Sequence, residues 1–261
     1  NIPPQTSTIA SHLPKAVGTA FSIDRGKDLD IKERVLESNS IVLCSFGDAS
    51  VNHASALSAF NTAAWIHNLG GHVPIVFLCE DNGTGISVPT QDGWIEQNFS
   101  RRTGIQYIQA DGLHILDLII KSKKADQISR KQRCPVFLHM KTIRLMGHAG
   151  SDVEIGYKSI QEIERIESDD PLLHSARIMI EKQCLSSSEI LSLYEDTRKQ
   201  ISFVFDSAVL RPKLLKSVEV MSAILSSENS KKNPPEIPKS QLRKKLFGKE
   251  FERIKIPQHM G

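Results

Sequence analysis

A glycine–aspartate turn, residues 47–50, follows the apolar run 41–46 of this 261-residue chain. Its small residues let backbone N–H groups approach a phosphate, and Asp48 offers the carboxylate oxygen that Mg²⁺ prefers. A second turn, residues 81–84 (Asp-Asn-Gly-Thr), follows the apolar run 73–79 and offers an amide oxygen and backbone carbonyls. Each turn alone is typical of an ordinary loop, but together they predict a phosphate and magnesium site.

A third polar segment follows a third apolar run, residues 135–140. Arg144 is a residue type that holds phosphate through two parallel hydrogen bonds. His148, in the glycine-containing stretch 147–152, can donate or accept a proton near neutral pH. The three segments in this order, each after a strand-like run, are much more specific than any of them alone.

These segments need a fold that brings them to one place. Short apolar runs at 41–46, 73–79 and 135–140 are typical of buried strands, and residues 105–109 are predicted as a further strand. Helical patterns separate them, and the chain then continues with further helices; the predicted helices are 11–23, 53–65, 94–102, 111–124, 159–167, 171–184, 186–210 and 212–225. We therefore predict an α/β fold, a mostly parallel sheet flanked by helices with a helical C-terminal section. In such sheets ligands bind beyond the carboxyl ends of the strands.

Composition narrows the class of protein. With 39% hydrophobic and 24% charged residues the chain can bury a core, which excludes a wholly disordered protein. The apolar runs are too short to span a membrane. Four cysteines without a C-x-x-C pair argue against a zinc knuckle and fit a reducing compartment. We expect Cys44 and Cys79 to be small buried hydrophobes, Trp65 and Trp94 to be packing residues, and the start of the sequence to be the middle of a longer chain.

Positive charge is concentrated near the end of the sequence. The net charge is +3, but residues 229–256 carry nine basic and three acidic side chains. This proline-containing segment predicts a solvated linker or a docking arm, and only weakly indicates nucleic-acid binding. We therefore divide the chain into a domain over residues 1–227 and a linker or arm over 228–261.

The motifs resemble those of one family, the thiamine-diphosphate-dependent dehydrogenase component of the 2-oxo acid dehydrogenase complexes, specifically its α subunit or the α-half of a fused α/β chain. The resemblance lies in "SHLPKAVGTAF", in "CSFGDASVNHAS" leading to "CEDNGTG", and in "KTIRLMGHAGSD". It departs from the family in Ala49, where the family motif has its third glycine, and in Asp81, where the motif has asparagine. The N-terminal part of the family domain has no counterpart here.

The resemblance implies a thiamine-diphosphate-binding fold and a role for each matching residue. It implies that Mg²⁺ is held by Asp48, Asn82 and Thr84, and that His148 is catalytic. The cofactor-binding residues it implies are Ser7, Ile9, Gly47, Asp48, Ala49, Ser50, Asn82, Arg144 and His148.

The function implied by the resemblance is oxidative decarboxylation of a 2-oxo acid, with branched-chain substrates favoured and pyruvate next, and acyl transfer to lipoyl groups of a multienzyme complex. The implied partners are a β subunit or β-half, in an α₂β₂-like assembly without which the chain is inactive, and a lipoyl domain or acyltransferase core. Neither nucleic acid nor membrane is an expected partner. The implied location is the bacterial cytoplasm or the mitochondrial matrix. An acetoin-dehydrogenase-type enzyme and a non-catalytic cofactor-domain remnant remain alternatives.

Overall fold

Four parallel strands form the central sheet of the computed structural model, which describes Gln5, residues 7–32, Arg34 and residues 36–221. Residues 5–204 form one compact unit, and the described residues from Phe205 onward belong to another. The strands in chain order are β1 (Val42–Gly47), β2 (Ile75–Asp81), β3 (Thr84–Gly85), β4 (Val88–Pro89), β5 (Gln106–Asp111) and β6 (Val136–Lys141). The helices are α1 (His12–Asp28), α2 (Ala54–Asn68), α3 (Trp94–Phe99), α4 (Ile115–Gln132), α5 (Ile160–Ser168), α6 (Pro171–Glu181), α7 (Ser187–Val209) and α8 (Ser217–Met221).

The sheet has the order β1-β2-β6-β5, and each neighbouring pair is parallel. Gly47 pairs with Glu80 across the first pair of strands, and Asp81 pairs with Lys141 across the second. The carboxyl ends of β1, β2 and β6 are therefore aligned at one edge, which we call the carboxyl edge. The segments that follow these three strands all leave the sheet there, and the predicted α/β fold is confirmed.

Aromatic packing fills one face of the sheet. Phe46, Phe77 and Phe137 project from β1, β2 and β6 towards Phe60 on α2 and Phe99 on α3. Helix α2 can lie close to the strands because four of its buried positions carry only a methyl side chain. These positions are Ala56, Ala59, Ala63 and Ala64. The opposite face is smaller and is covered by α4.

Several sequence predictions differ from the structure in detail. The predicted helix 111–124 is wrong at its start, because Asp111 completes β5 and α4 begins at Ile115 after an N-cap at His114. The hairpin of β3 and β4 was not predicted. Trp65 is 62% exposed, so its predicted packing role is wrong within this chain. Burial of Cys44 and Cys79 is confirmed.

The C-terminal helices expose apolar side chains. In the described part of α5, α6 and α7 no residue is buried, and Leu172 and Leu191 are examples of exposed apolar residues there. The last predicted helix begins at Ser217 instead of 212, and residues 222–225 together with the predicted arm 228–261 lie outside the described residues. Among the described residues, no helix is both long enough and apolar enough to cross a bilayer.

Candidate functional site

Asp48 opens a single 3₁₀ turn, Asp48–Asn52, directly after β1 and is only 3% exposed. The Thr90 hydroxyl donates a hydrogen bond to Asp48 Oδ2. Burial raises the pKa of the Asp48 carboxyl; the Thr90 hydrogen bond lowers it, the nearby negative charge of Asp81 raises it, and the Ala49 backbone N–H lowers it. The partners that the structure shows for this carboxylate are thus neutral donors and a like charge. A bound cation would stabilise the ionised form.

Asn82 lies in a tight turn at the end of β2. Its side-chain oxygen accepts a hydrogen bond from the Thr84 backbone N–H at 3.0 Å, and Asp81 Oδ1 accepts one from the Gly83 N–H at 3.3 Å. Gly83 has a φ of +74°, a conformation in which residues other than glycine are strained. These bonds fix the direction in which the Asn82 amide points.

The structure brings the first two predicted turns into contact. A Cβ placed on Gly85 would lie 2.7 Å from the Ala49 Cβ, so the two backbones approach too closely for a side chain at position 85. Thr90 joins the turns, since its hydroxyl bonds Asp48 and its N–H donates to the Gly83 carbonyl at 2.9 Å. The oxygen-rich turn of Asn82 therefore lies against the turn of Asp48, as the sequence predicted.

Arg144 lies in the segment that leaves β6, and its side chain is 16% exposed. Its Nη2 donates to the Tyr157 hydroxyl at 2.8 Å and lies 3.7 Å from Asp152 Oδ2. Its Nε is buried, and no residue in the described structure accepts a hydrogen bond from it. A buried guanidinium N–H without an acceptor is costly, and an anionic ligand would satisfy it.

The loop of His148 is shaped by Asp152. Asp152 Oδ2 accepts from the His148 backbone N–H at 2.6 Å and from the Tyr157 hydroxyl at 3.0 Å. The His148 N–H, the Tyr157 hydroxyl and the Arg144 charge all lower the pKa of the Asp152 carboxyl, the first of them most. The loop backbone is thus fixed while the His148 side chain is exposed.

Ser7 and Ile9 lie just before α1 and are both exposed. The start of α1 is held to the sheet by a hydrogen bond of 2.9 Å from His12 Nε2 to the Ser45 carbonyl. Ser45 lies near the carboxyl end of β1, so these two residues begin a helix that is attached close to that edge.

Apart from Ser7 and Ile9, the predicted site residues thus fall into two groups at the carboxyl edge. Gly47, Asp48, Ala49 and Ser50 form one turn, which touches the turn of Asn82 and Thr84. Arg144 and His148 share a second network, whose loop is tied to β2 by a hydrogen bond of 2.8 Å from the Thr142 N–H to the Asp81 carbonyl. The ligand-binding roles assigned to these residues stay predictions.

Sequence reasoning missed the residues that support the site. Thr90 lies 42 positions from Asp48, and nothing in its surroundings distinguishes it from other loop threonines. Asp152 and Tyr157 were closer to detection, since both are polar and follow Arg144 in the same glycine-containing segment.

Comparison with known proteins decides the family. Residues 3–215 match the sequence model of the family described as "Dehydrogenase E1 component". The chain belongs to the dehydrogenase E1 component family. The resemblance predicted from the motifs is therefore confirmed at the level of the family.

Curated relatives of this E1 component chain are alpha subunits. It is 27% identical to the mitochondrial 2-oxoisovalerate dehydrogenase subunit alpha of Caenorhabditis elegans over 212 residues, 80% of this chain and 46% of the relative. The corresponding protein of Macaca fascicularis is 25% identical over 212 residues, 80% of this chain and 44% of the relative. The mitochondrial pyruvate dehydrogenase E1 component subunit alpha of Dictyostelium discoideum is 22% identical over 207 residues, 78% of this chain and 51% of the relative. The chain spans about half the length of the curated relatives it matches.

Proposed function

We propose that this E1 component chain binds thiamine diphosphate with Mg²⁺ at the carboxyl edge and serves the oxidative decarboxylation of a 2-oxo acid. The observation that carries the proposal is the contact between the turn of buried Asp48 and the turn of Asn82. Family membership supports the cofactor. The names of the relatives support a branched-chain 2-oxo acid first and pyruvate second.

The residues present suit a magnesium ion. Asp48 would supply a carboxylate oxygen, Asn82 its amide oxygen and Thr84 its backbone carbonyl. Such a hard-oxygen set leaves further positions for phosphate oxygens and water, as Mg²⁺ requires. A site with one carboxylate differs from a cluster of three or more His, Cys, Asp or Glu side chains, which the described part of the chain does not contain.

The residues also suit a diphosphate. Arg144 has a buried Nε that lacks an acceptor in the described structure, and it would donate from there to a phosphate oxygen. Ser50 would donate its backbone N–H from the turn that carries Asp48. Ser7 and Ile9 would contact the aminopyrimidine ring through main-chain atoms.

The bound cofactor would supply the electron sink for decarboxylation, and the protein's part is to orient the substrate. His148 has an exposed imidazole on a backbone fixed by Asp152. It would donate a hydrogen bond from a ring nitrogen to an oxygen of the 2-oxo acid and exchange a proton with it as a general acid or base.

The proposed partners follow from the relatives and from the surface. The relatives are named as alpha subunits, so we propose a β subunit or β-half in an α₂β₂-like assembly, with a lipoyl domain of an acyltransferase core as acyl acceptor. Exposed apolar side chains on α5, α6 and α7 offer surface for such association. The proposed location is the mitochondrial matrix or the bacterial cytoplasm.

Calorimetric titration tests the proposal. Thiamine diphosphate is titrated, in the presence of Mg²⁺, into the full-length protein together with every chain that copurifies. We expect a Kd of about micromolar or lower, lost in Asp48→Ala and unchanged in Asp126→Ala, which removes an exposed carboxylate from α4.

The substrate is tested on the same preparation by CO₂ release from a branched-chain 2-oxo acid and from pyruvate, and by acetaldehyde release from acetoin, which has no carboxylate to lose. Preference for the branched-chain acid is the expected result. Absence of cofactor binding by the complete preparation would contradict the enzyme proposal and favour a non-catalytic remnant.

A further inference from the structure

A buried chain of three polar side chains ends beside the candidate site. The Tyr107 hydroxyl on β5 lies 2.7 Å from His139 Nδ1 on β6, and His139 Nε2 lies 2.7 Å from Asp81 Oδ2 at the end of β2. The His139 side chain is completely buried, and the Asp81 side chain is 16% exposed. The three residues therefore connect neighbouring strands behind the turn that carries Asn82.

The direction of the hydrogen bonds follows from the donor and acceptor groups. An ionised carboxylate only accepts, so His139 Nε2 carries the proton that bonds Asp81. In the neutral imidazole Nδ1 then accepts from the Tyr107 hydroxyl. Burial raises the pKa of the Tyr107 phenol, and the negative charges around it act in the same direction, so the hydroxyl keeps its proton.

Each oxygen of Asp81 accepts a hydrogen bond in this arrangement. Its Oδ2 accepts from His139, its Oδ1 accepts from the Gly83 N–H, and its backbone carbonyl accepts from the Thr142 N–H. These bonds fix the orientation of the Asp81 carboxylate, while its charge still acts on Asp48 and raises that pKa. The neighbouring Asn82 oxygen accepts one hydrogen bond, from the Thr84 backbone N–H, and keeps a lone pair for a cation.

We propose that Tyr107 and His139 are positioning residues for the cation half of the site, holding the Asp81 carboxylate so that Asn82 rather than Asp81 meets the metal. This inference rests on the proposed function. Packing alone does not require a histidine at position 139, because Phe137, two residues earlier on β6, is apolar and fully buried. Burying polar groups there costs free energy of desolvation that an apolar side chain avoids.

The test compares four variants of the full-length protein with its copurifying chains. His139→Leu removes the donor to Asp81, His139→Gln restores an amide N–H, and Tyr107→Phe removes the hydroxyl that orients the imidazole. Phe99→Leu is the matched control, since Phe99 packs on Phe137 in the same core and takes no part in the hydrogen bonds of the three residues. The measured quantities are the Mg²⁺ concentration that half-saturates thiamine diphosphate binding and the melting temperature.

We expect His139→Leu to raise the half-saturating Mg²⁺ concentration about tenfold and Tyr107→Phe about threefold, as for other groups that orient metal ligands. His139→Gln should recover most of the loss. At saturating Mg²⁺ the Kd of thiamine diphosphate should stay near the wild-type value. Phe99→Leu should lower the melting temperature and leave the Mg²⁺ dependence unchanged.

Three results would overturn the inference: a wild-type Mg²⁺ dependence in His139→Leu, an equal loss in His139→Leu and His139→Gln, or an equal shift in Phe99→Leu. If His139→Leu does not fold, Tyr107→Phe against Phe99→Leu decides in the same way. The proposed function fails separately, when the wild-type protein binds no thiamine diphosphate at any Mg²⁺ concentration.

Discussion

The two edges of the sheet both bury charged side chains, but they partner them differently. At the amino edge, where the strands begin, Arg133 Nε donates to Asp24 Oδ2 at 2.8 Å, and the two side chains are 12% and 14% exposed. At the carboxyl edge the two neighbouring acidic groups, Asp48 and Asp81, have the same sign. A buried charge that already has its opposite holds a structure together, whereas the Asp81 charge raises the pKa of the Asp48 carboxyl, an effect that a bound cation would oppose.

Shape alone would point to the opposite edge. A cleft of about 310 Å³ opens at the amino edge and is lined by residues that include Asp24, His72 and Arg133. Its central groups bond each other, since Arg133 also donates to the Ser40 carbonyl at 3.0 Å and His72 lies 3.5 Å from Asp24, although Arg133 Nη2, like Arg144 Nε, is buried without an acceptor among the described residues. What separates the two edges is therefore the pairing of their acidic groups: Asp24 has a cationic partner, whereas the charge that acts on Asp48 is that of Asp81.

The largest loss of stability is expected when the buried Arg133–Asp24 pair at the amino edge is broken. Arg133→Met leaves Asp24 buried without its guanidinium and should lower the free energy of unfolding by about 3 kcal/mol. Arg130→Met removes an exposed pair with Asp126 and should cost about 0.5 kcal/mol. Urea unfolding measures both, and equal losses would mean that burial does not distinguish the two pairs. Thiamine diphosphate binding at saturating Mg²⁺ should be unchanged in both folded variants.

The second effect concerns the loop of His148. A Cβ on Gly147 would lie 2.2 Å from the Asp152 backbone oxygen, so Gly147→Ala forces the loop open and displaces the His148 N–H from Asp152. We expect the rate of 2-oxo acid decarboxylation to fall between about 10- and 100-fold. Gly150→Ala is the control, because a Cβ there meets nothing within 4 Å. Similar rates for the two variants would show that the shape of this loop does not govern the reaction.

The sequence predicted where the four strands of the sheet lie along the chain but not the order in which they pair. Mostly apolar runs predicted β1, β2 and β6, as is typical of buried parallel strands, whereas the β5 segment alternates polar and apolar residues. The same pattern does not show that β6 inserts between β2 and β5. The two-residue strands β3 and β4 carry too few residues for any hydrophobic period, so the hairpin that positions Thr90 was missed.

In the candidate site, too, residues in local motifs could be predicted, whereas residues defined by distant partners could not. Asp48 and Asn82 were predicted because a small-residue turn after a strand is a local feature. His139 stands inside an apolar run, where its partners Tyr107 and Asp81 lie 32 and 58 residues away in the sequence. Contacts over such separations are made by the register of the sheet, and one sequence does not reveal them.

A smaller effect is expected in the pH dependence of stability, because Asp48 at the carboxyl edge is buried without a cationic partner in the described structure. Burial raises the pKa of the Asp48 carboxyl, so its contribution to stability is present at low pH and is lost as the pH rises through that raised pKa. Asp48→Asn removes the ionisation and should stabilise the metal-free protein by about 1 kcal/mol at neutral pH. Urea unfolding across a pH series should show the gain disappear on acidification. A gain independent of pH would mean that the Asp48 charge is not its cause.

The smallest effect is expected where a carboxylate at the carboxyl edge is exposed. Asp92 lies 3.2 Å from Lys141 Nζ and its side chain is 97% exposed; the hydrogen bond from Lys141 lowers the pKa of its carboxyl. Asp92→Asn should change neither the unfolding midpoint nor the half-saturating Mg²⁺ concentration, because water screens a pair of this kind. Asp48 and Asp92 are both aspartates at the carboxyl edge, so the comparison isolates the effect of burial. A shift in Mg²⁺ dependence on changing Asp92 would show that the summed charge of the edge, rather than the buried carboxylate, attracts the cation.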